Sequence, residues 1–286
     1  MANHVALTHT TQYRYSRLVG LGPHIVRLRP APHCRTPILT YSLRIAPEPH
    51  FINWQQDPFG NFMARIVVPD ETREFSATVD LVADMATINP FDFFVEDAAA
   101  SWPFSYDPVL AGELKPYLEP LPGTPLLDNY IRKITGQSST VAFIIELNRK
   151  LSQDIAYQVR MEPGVQTPED TLNSRRGSCR DLAVLMMEAA RSLGIASRFV
   201  SGYIYTPQSS GLAGGGATHA WMQAYLPGAG WIDFDPTNSI VGNRNLIRVA
   251  VAWAPEYVLP LWGTYFGPPG AFLEMDVDVR VSEVPE

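Results

Sequence analysis

Residues 176–194 read RGSCRDLAVLMMEAARSLG. Apolar side chains in this stretch recur three or four positions apart, which predicts a helix from about 179 to 192 with one buried face. Ser178 is a good N-cap, Asp181 stands where a capping box has its acidic partner, and Gly194 supplies the expected stop. The sequence therefore predicts a capped helix with Cys179 in its first turn.

The position of Cys179 has two interpretations. At a helix amino end, unpaired N–H groups and the positive end of the macrodipole favour thiolate over thiol. The backbone N–H of Cys179 is also a natural oxyanion donor. A free cysteine is more often a small buried hydrophobe, so the position alone is a weak signal. A thiolate nucleophile also needs an imidazole base and a group that orients it.

The histidines narrow the choice of base. Five of the six lie within the first 50 residues, which leaves His219 as the histidine of the second half. The chain from His219 onward reads as a strand, a turn and a second strand that ends near Asp235, which predicts a hairpin. Asp233 and Asp235 share one side of that second strand, so either can orient the imidazole. Asp235 is nearer the strand end and pairs more naturally with His219.

The whole chain divides into three parts. Residues 1–95 alternate apolar and polar positions over short runs, which predicts a small antiparallel β domain. The motif Asp57-Pro58-Phe59-Gly60-Asn61 reads as a turn within it. Residues 96–125 are rich in proline and are predicted to be a linker. Residues 126–286 are then the core that carries the candidate site, and the whole is of the α+β class.

Composition excludes several functions. The chain has 286 residues, 46% hydrophobic and 18% charged, with a net charge of −7. This acidic balance argues against nucleic acid and anionic membranes as partners. Two cysteines, Cys34 and Cys179, exclude a disulfide framework and a cysteine-rich metal site within one chain, and Cys34 has no predicted role. The first residues lack a secretory signal pattern and no stretch reads as a membrane span, so we expect a soluble cytoplasmic protein.

Three blocks of sequence resemble one known family. They are RGSCRDLA at 176–183, LGIASRFVSGY at 193–203, and HAW at 219–221 with GWIDFDPTN at 230–238. They resemble the bacterial transglutaminase-like superfamily of papain-like thiol enzymes, and motifs in residues 13–61 resemble the β-rich region that precedes its core. The resemblance implies a helix carrying the cysteine packed on an antiparallel sheet. It also implies a catalytic triad of Cys179, His219 and Asp235, which favours Asp235 over Asp233.

The resemblance also implies a reaction. A cysteine-dependent enzyme of this kind attacks a peptide or protein amide and forms a thioester acyl-enzyme, with no metal or organic cofactor. Water is the default acceptor, so we expect a protease or amidase first. The alternatives are acyl transfer to an amine, as in a transglutaminase, or a catalytically idle protein that binds peptides. The oligomeric state and the substrate's identity stay open.

Four further features have two interpretations each. The glycine-rich loop 211–216 can close over a bound acyl group or be a plain hairpin loop. Trp221 and Trp231 can donate to an oxyanion, although core packing is the commoner role of tryptophan. Gln166 can be a side-chain oxyanion donor or an ordinary loop residue. The segment 252–257 departs from the family pattern, so if it lines the cleft, substrate specificity does not transfer from relatives.

Overall fold

The amino-terminal part of the protein is built from β-strands. A computed structural model describes residues 4–85, 89, 91–134, 139–160, 162–206, 211–215, 217–242 and 245–284. The first strands are β1 (His4–Leu21), β2 (His24–Val26), β3 (Ile38–Ala46), β4 (Phe51–Gln56), β5 (Phe62–Val67) and β6 (Thr72–Asp84). Alternate residues of β1 and β6 are buried, as the period of two in the sequence predicts.

The middle of the chain supplies the helices. These are α1 (Pro108–Glu113), α2 (Lys115–Leu118), α3 (Pro125–Ile131), α4 (Thr140–Asp154), α5 (Pro168–Ser174) and α6 (Cys179–Ser192). Two short strands, β7 (Ala156–Tyr157) and β8 (Arg176–Gly177), pair in parallel just before α6. The helix α6 has the bounds that its sequence pattern predicts, and the side chains of its apolar face are buried.

An antiparallel sheet packs against α6 and carries the candidate site. Its strands are β9 (Ser197–Ile204), β10 (His219–Leu226), β11 (Gly230–Asp235), β12 (Ile240–Val241) and β13 (Leu246–Ala252). The strand order is β12-β11-β10-β9-β13, and β10 and β11 form the predicted hairpin. Both β9 and β10 contact α6. A helix with the cysteine at its start, packed on an antiparallel sheet, confirms the predicted α+β fold.

The end of the chain returns to the amino-terminal sheets. The last strands are β14 (Leu261–Trp262), β15 (Tyr265–Phe266) and β16 (Phe272–Glu283). The strand β16 pairs with β1 along most of its length, β15 pairs with the end of β1, and β14 pairs with β2. Residues 261–283 therefore lie in the sheets of the amino-terminal part, although the sequence division groups them with residues 126–286.

The proline-rich segment 96–125, predicted as a linker, is packed on the rest of the protein. The Trp102 indole donates to the backbone oxygen of Leu193, just after α6, at 3.3 Å. The Tyr106 hydroxyl donates to the backbone oxygen of Tyr225 at 2.8 Å and accepts from the backbone N–H of Ala196 at 2.9 Å. Aromatic side chains between the prolines thus hold the segment against α6 and its sheet.

The turn at 57–61 joins the two parts of the protein. The buried side chain of Asn61 donates to the backbone oxygen of Val251 and accepts from its N–H, both at 2.8 Å. Val251 lies on β13, an edge strand, so Asn61 bonds to that edge as a neighbouring strand would. The Asp57 carboxylate accepts from the backbone N–H and the side-chain amide of Asn61 and so holds this side chain in place.

We expect Asn61→Ala to lower the free energy of unfolding by about 2–4 kcal/mol, because both backbone groups of Val251 lose their buried partner. Urea denaturation monitored by tryptophan fluorescence measures this loss. The control is Asn53→Ala on the exposed strand β4, with an expected change within about 0.5 kcal/mol. Equal effects of the two substitutions would contradict the role given to Asn61.

Candidate active site

Cys179 is the first residue of α6, and its side chain is half-buried. The preceding residue, Ser178, donates to the Asp181 carboxylate from its backbone N–H at 2.9 Å and from its hydroxyl at 2.7 Å. This is the acidic half of the predicted capping box. The backbone N–H of Cys179 belongs to the first turn, where N–H groups have no partner within the helix. The thiol and a backbone donor without a partner in the helix therefore stand together at one helix end.

Asp181 also fixes the loop in front of this helix end. Its fully buried carboxylate accepts from the Arg160 guanidinium at 3.0 Å and from the backbone N–H of Gln166 at 2.8 Å. Burial alone would raise the pKa of Asp181, but these donors and Ser178 outweigh it and hold the pKa below its usual range. An ionised carboxylate therefore holds Arg160 and Gln166 next to the start of α6.

His219 and Asp235 meet across the hairpin. His219 begins β10 and Asp235 ends β11, and Nε2 of the imidazole lies 2.9 Å from Oδ2 of the carboxylate. Both side chains are fully buried. The other ring nitrogen, Nδ1, has no partner of standard hydrogen-bond geometry in the part of the chain that the structure describes. Because Asp235 occupies Nε2, Nδ1 is the nitrogen available to the Cys179 thiol.

The charges on His219 and Asp235 stabilise one another. Burial alone would lower the pKa of His219, but the Asp235 carboxylate and the neighbouring Cys179 side chain raise it to about 10. Burial would raise the pKa of Asp235, but the imidazole, Asn238 and the backbone N–H of Thr237 bring it below its usual value. The imidazolium form is therefore the stable form at neutral pH, next to a thiol at a helix amino end.

The second acid of the hairpin has a different partner. Asp233 Oδ1 accepts from the indole N–H of Trp221 at 2.7 Å and lies 3.9 Å from the Arg248 guanidinium. The structure thus places Asp235, and not Asp233, against His219. Trp221 is completely buried, and its ring lies 5.9 Å from the His219 ring in a stacked arrangement. Its N–H is engaged by Asp233, so Trp221 is a core residue with no donor left for an oxyanion.

The remaining candidates have other partners. Gln166 accepts from the Thr171 hydroxyl through its side-chain oxygen at 3.1 Å, and the Trp231 ring packs 4.2 Å from the Arg198 guanidinium. The segment 252–257 packs beside Arg191, whose guanidinium donates to the backbone oxygen of Trp253. Arg191 is twelve residues after the start of α6, about 18 Å along the helix from Cys179. Trp253 therefore contacts a side chain near the end of α6 opposite to Cys179.

Sequence reasoning missed two neighbours of the site. Tyr157 pairs with Gly177 in the strands before α6, and its pKa is raised by burial and by the nearby Cys179. Asn238 donates to Asp235 Oδ2 at 2.9 Å. Tyr157 carries no sequence signal, because only the pairing of β7 with β8 brings it near. Asn238 carries a sequence signal, because it directly follows the Asp-Pro-Thr motif that ends β11.

The described residues contain neither a metal-binding cluster nor a membrane-spanning helix. They hold no cluster of three or more histidine, cysteine, aspartate or glutamate side chains arranged to bind a metal ion. None of the helices within those residues is long and apolar enough to cross a membrane.

Known proteins are similar to this chain in sequence or in fold. An uncharacterized protein of Mycobacterium tuberculosis (strain H37Rv) is 26% identical over 286 residues, which cover 96% of this chain and 91% of that protein. One from Mycobacterium leprae is 37% identical over 113 residues, 38% of this chain and 39% of that protein. The crystal structure of a candidate cysteine protease from Cytophaga hutchinsonii has a TM-score of 0.73 at 19% identity. That match covers all of this chain and 92% of the other, and it shows a shared fold.

Two family models match the chain in the order that its motifs predict. Residues 5–84 match the bacterial transglutaminase-like N-terminal region, and residues 128–236 match the transglutaminase-like superfamily. The second match contains Cys179, His219 and Asp235, and together the two span well over half of the chain. The chain belongs to the transglutaminase-like superfamily and carries the bacterial amino-terminal region ahead of the core.

Proposed function

We propose that this protein is a cysteine-dependent enzyme that cleaves a carboxamide or peptide bond through a thioester on Cys179. One observation carries the proposal. The buried His219 is held by Asp235 through Nε2, which leaves Nδ1 for the thiol at the amino end of α6. A nucleophile, a base and an orienting carboxylate in this order form the arrangement that thiol catalysis needs.

The first half of the reaction uses the proton on Nδ1. The Cys179 thiolate attacks the carbonyl carbon of the substrate and forms a carbon–sulfur bond, and the carbonyl oxygen becomes an oxyanion. The backbone N–H of Cys179 donates to that oxygen. The carbon–nitrogen bond then breaks, and the leaving amine takes the proton from Nδ1 of His219. Asp235 keeps the ring oriented and stabilises its charged form before this transfer.

The second half consumes the thioester. Neutral His219 accepts a proton at Nδ1 from an attacking water while the water oxygen bonds to the acyl carbon. The carbon–sulfur bond breaks, the acid is released, and the thiolate and imidazolium are restored. An amine that replaces water gives acyl transfer by the same steps. Water is present at a far higher concentration than any amine, so we place hydrolysis first.

The family supports the general class of this proposal. The transglutaminase-like core match covers all three proposed catalytic residues, and the protein of similar fold from Cytophaga hutchinsonii is described as a candidate cysteine protease. A protein that only bound peptides would not need a completely buried imidazole–carboxylate pair beside a half-exposed thiol. We therefore place the idle, peptide-binding role behind both reactions.

We expect iodoacetamide to alkylate Cys179 faster than a free thiol at pH 7, because the imidazolium and the helix end stabilise the thiolate. His219→Gln should slow this labelling about tenfold or more, since it removes the positive charge. Peptide mapping by mass spectrometry measures the rate at each cysteine. Cys34 is the internal comparison, because burial raises the pKa of its thiol.

The control variant is His50→Gln, which removes a histidine of the amino-terminal part that bonds to the backbone oxygen of Pro47. Its labelling rate at Cys179 should equal that of the wild type. If Cys179 is alkylated no faster than a free thiol, and His219→Gln leaves that rate unchanged, the enzyme proposal fails and the peptide-binding role takes its place.

We expect the enzyme to hydrolyse peptide or glutamine amide bonds and Cys179→Ser to lower this activity by roughly a thousandfold or more, because the nucleophile is lost. A library of peptides that contain glutamine, incubated with and without a primary amine and read by mass spectrometry, tests both acceptors. Amine incorporation in preference to hydrolysis would replace the protease or amidase by a transglutaminase. Its absence across varied amines would remove the transfer alternative.

We expect the His219 ring to remain protonated across pH 7–9, since its pKa is raised to about 10. The stabilisation from this charge is complete below pH 6.5, the value of an ordinary histidine, and is lost as the pH rises through about 10. NMR titration of ¹⁵N-labelled histidine measures the pH at which the His219 ring loses its proton. Asp235→Asn should move the midpoint downward, because the carboxylate no longer favours the charged ring. A wild-type midpoint near 6.5 would contradict the ion pair.

A further inference from the structure

Asn238 links the carboxylate of the site to the glycine-rich loop. Its side-chain N–H group donates to Asp235 Oδ2 at 2.9 Å and to the backbone oxygen of Ala213 at 3.2 Å. Its side-chain oxygen accepts from the backbone N–H of Ala213 at 2.7 Å. One amide therefore uses both of its ends to hold the loop backbone, and the same amide holds Asp235.

The next residue of the loop lies against the imidazole. Gly214 has a φ of +93°, and a Cβ built on it would stand 2.7 Å from Nδ1 of His219 and 3.2 Å from Cε1. The 2.7 Å distance is shorter than real Cβ contacts, so only glycine fits here with the ring in its present place. Nδ1 is the ring nitrogen that Asp235 leaves for Cys179. The loop backbone thus covers the reactive edge of His219, and the side chain is fully buried.

We propose that Asn238 and Gly214 are positioning residues, with Asn238 clamping the loop onto Asp235 and the missing side chain of Gly214 leaving Nδ1 room to reach Cys179. This inference rests on the proposed function, since it explains how the proton-carrying nitrogen is held. It also makes Ala213 and Gly214 a fixed wall of the site, which differs from both roles that the sequence left open for the loop, closure over an acyl group and a plain hairpin. Gly216 lies outside the described residues.

The wall has a chemical consequence. The leaving amine takes its proton from Nδ1, and the incoming water gives one to it, so both must pass beside Gly214. The loop backbone shields this edge of the ring from bulk water, and the missing side chain keeps Nδ1 unobstructed. A methyl group at this position would push the ring away from the sulfur or obstruct Nδ1.

Two alanine substitutions separate this role from backbone strain. Gly211 has a φ of +65° in the same loop, and a Cβ built on it would meet nothing within 4 Å. Gly214→Ala and Gly211→Ala therefore both place alanine at a left-handed φ, but only the first touches His219. We expect Gly214→Ala to slow alkylation of Cys179 by roughly 10–100-fold, as small misplacements of catalytic groups do. Gly211→Ala should stay within about twofold of the wild type.

The NMR titration of His219 supplies a readout that needs no turnover. In Gly214→Ala the midpoint should fall, because the ring loses its contact with Cys179, and in Gly211→Ala it should stay at the wild-type value. Identical titrations and alkylation rates in the two variants would overturn the inference. A wild-type thiol of ordinary reactivity would instead defeat the proposed function, while the comparison of the two titrations would still decide the role of Gly214.

The clamp is tested by Asn238→Asp, which keeps the size of the side chain but replaces its donor by an oxygen. That oxygen would face Asp235 as a like charge, so we expect alkylation of Cys179 to slow at pH 7 and to recover as the pH falls and a carboxyl gains a proton. Asn173→Asp, the same change at an exposed position of α5, should keep the wild-type pH profile. A wild-type profile for Asn238→Asp would contradict the clamp.

Discussion

The site depends on one ion pair that is entirely removed from water. Burying an imidazolium or a carboxylate alone costs several kcal/mol, so the pair at His219 and Asp235 is stable only if each partner is satisfied by the other and by further donors. The backbone N–H of Thr237 and the amide of Asn238 supply those donors to the carboxylate. The neighbouring Cys179 side chain also favours the charged ring. The turn after β11 and the start of α6 thus supply the partners that the buried pair needs.

Strand alternation gives the hairpin two acids with separate tasks. Asp235 and Asp233 lie two residues apart on one face of β11, opposite His219 and Trp221 on the same face of β10. One acid orients the imidazole. The other holds the indole that stacks on that imidazole, and so it supports the same ring from behind. A single register of β10 on β11 fixes both contacts, which explains why the pairing is continuous from Met222 to the turn.

Local patterns made part of this architecture predictable. The bounds of α6, its capping by Asp181 and the hairpin all follow from residues within about twenty positions of one another. Contacts over long sequence separations carried no such signal. The pairing of β16 with β1 joins the two ends of the chain, and the bond from Asn61 to Val251 spans 190 residues. Strand alternation could not separate the two acids of β11, because they share a face. The position of Asp235 near the strand end favoured it, and the register of the hairpin decides the choice.

These long-range contacts make the amino-terminal part a structural component of the site. The Arg248 guanidinium, which lies beside Asp233, donates to the backbone oxygen of His33, and the Thr36 hydroxyl donates to the backbone oxygen of Leu246 at 2.9 Å. Residues 33–36 therefore cover the sheet face that bears the acid supporting Trp221, while Asn61 bonds to the edge of the same sheet. Without that cover Asp233 would be hydrated, its bond to the indole would compete with water, and the support behind His219 would weaken. The core of this protein thus needs its amino-terminal strands to keep its imidazole in place.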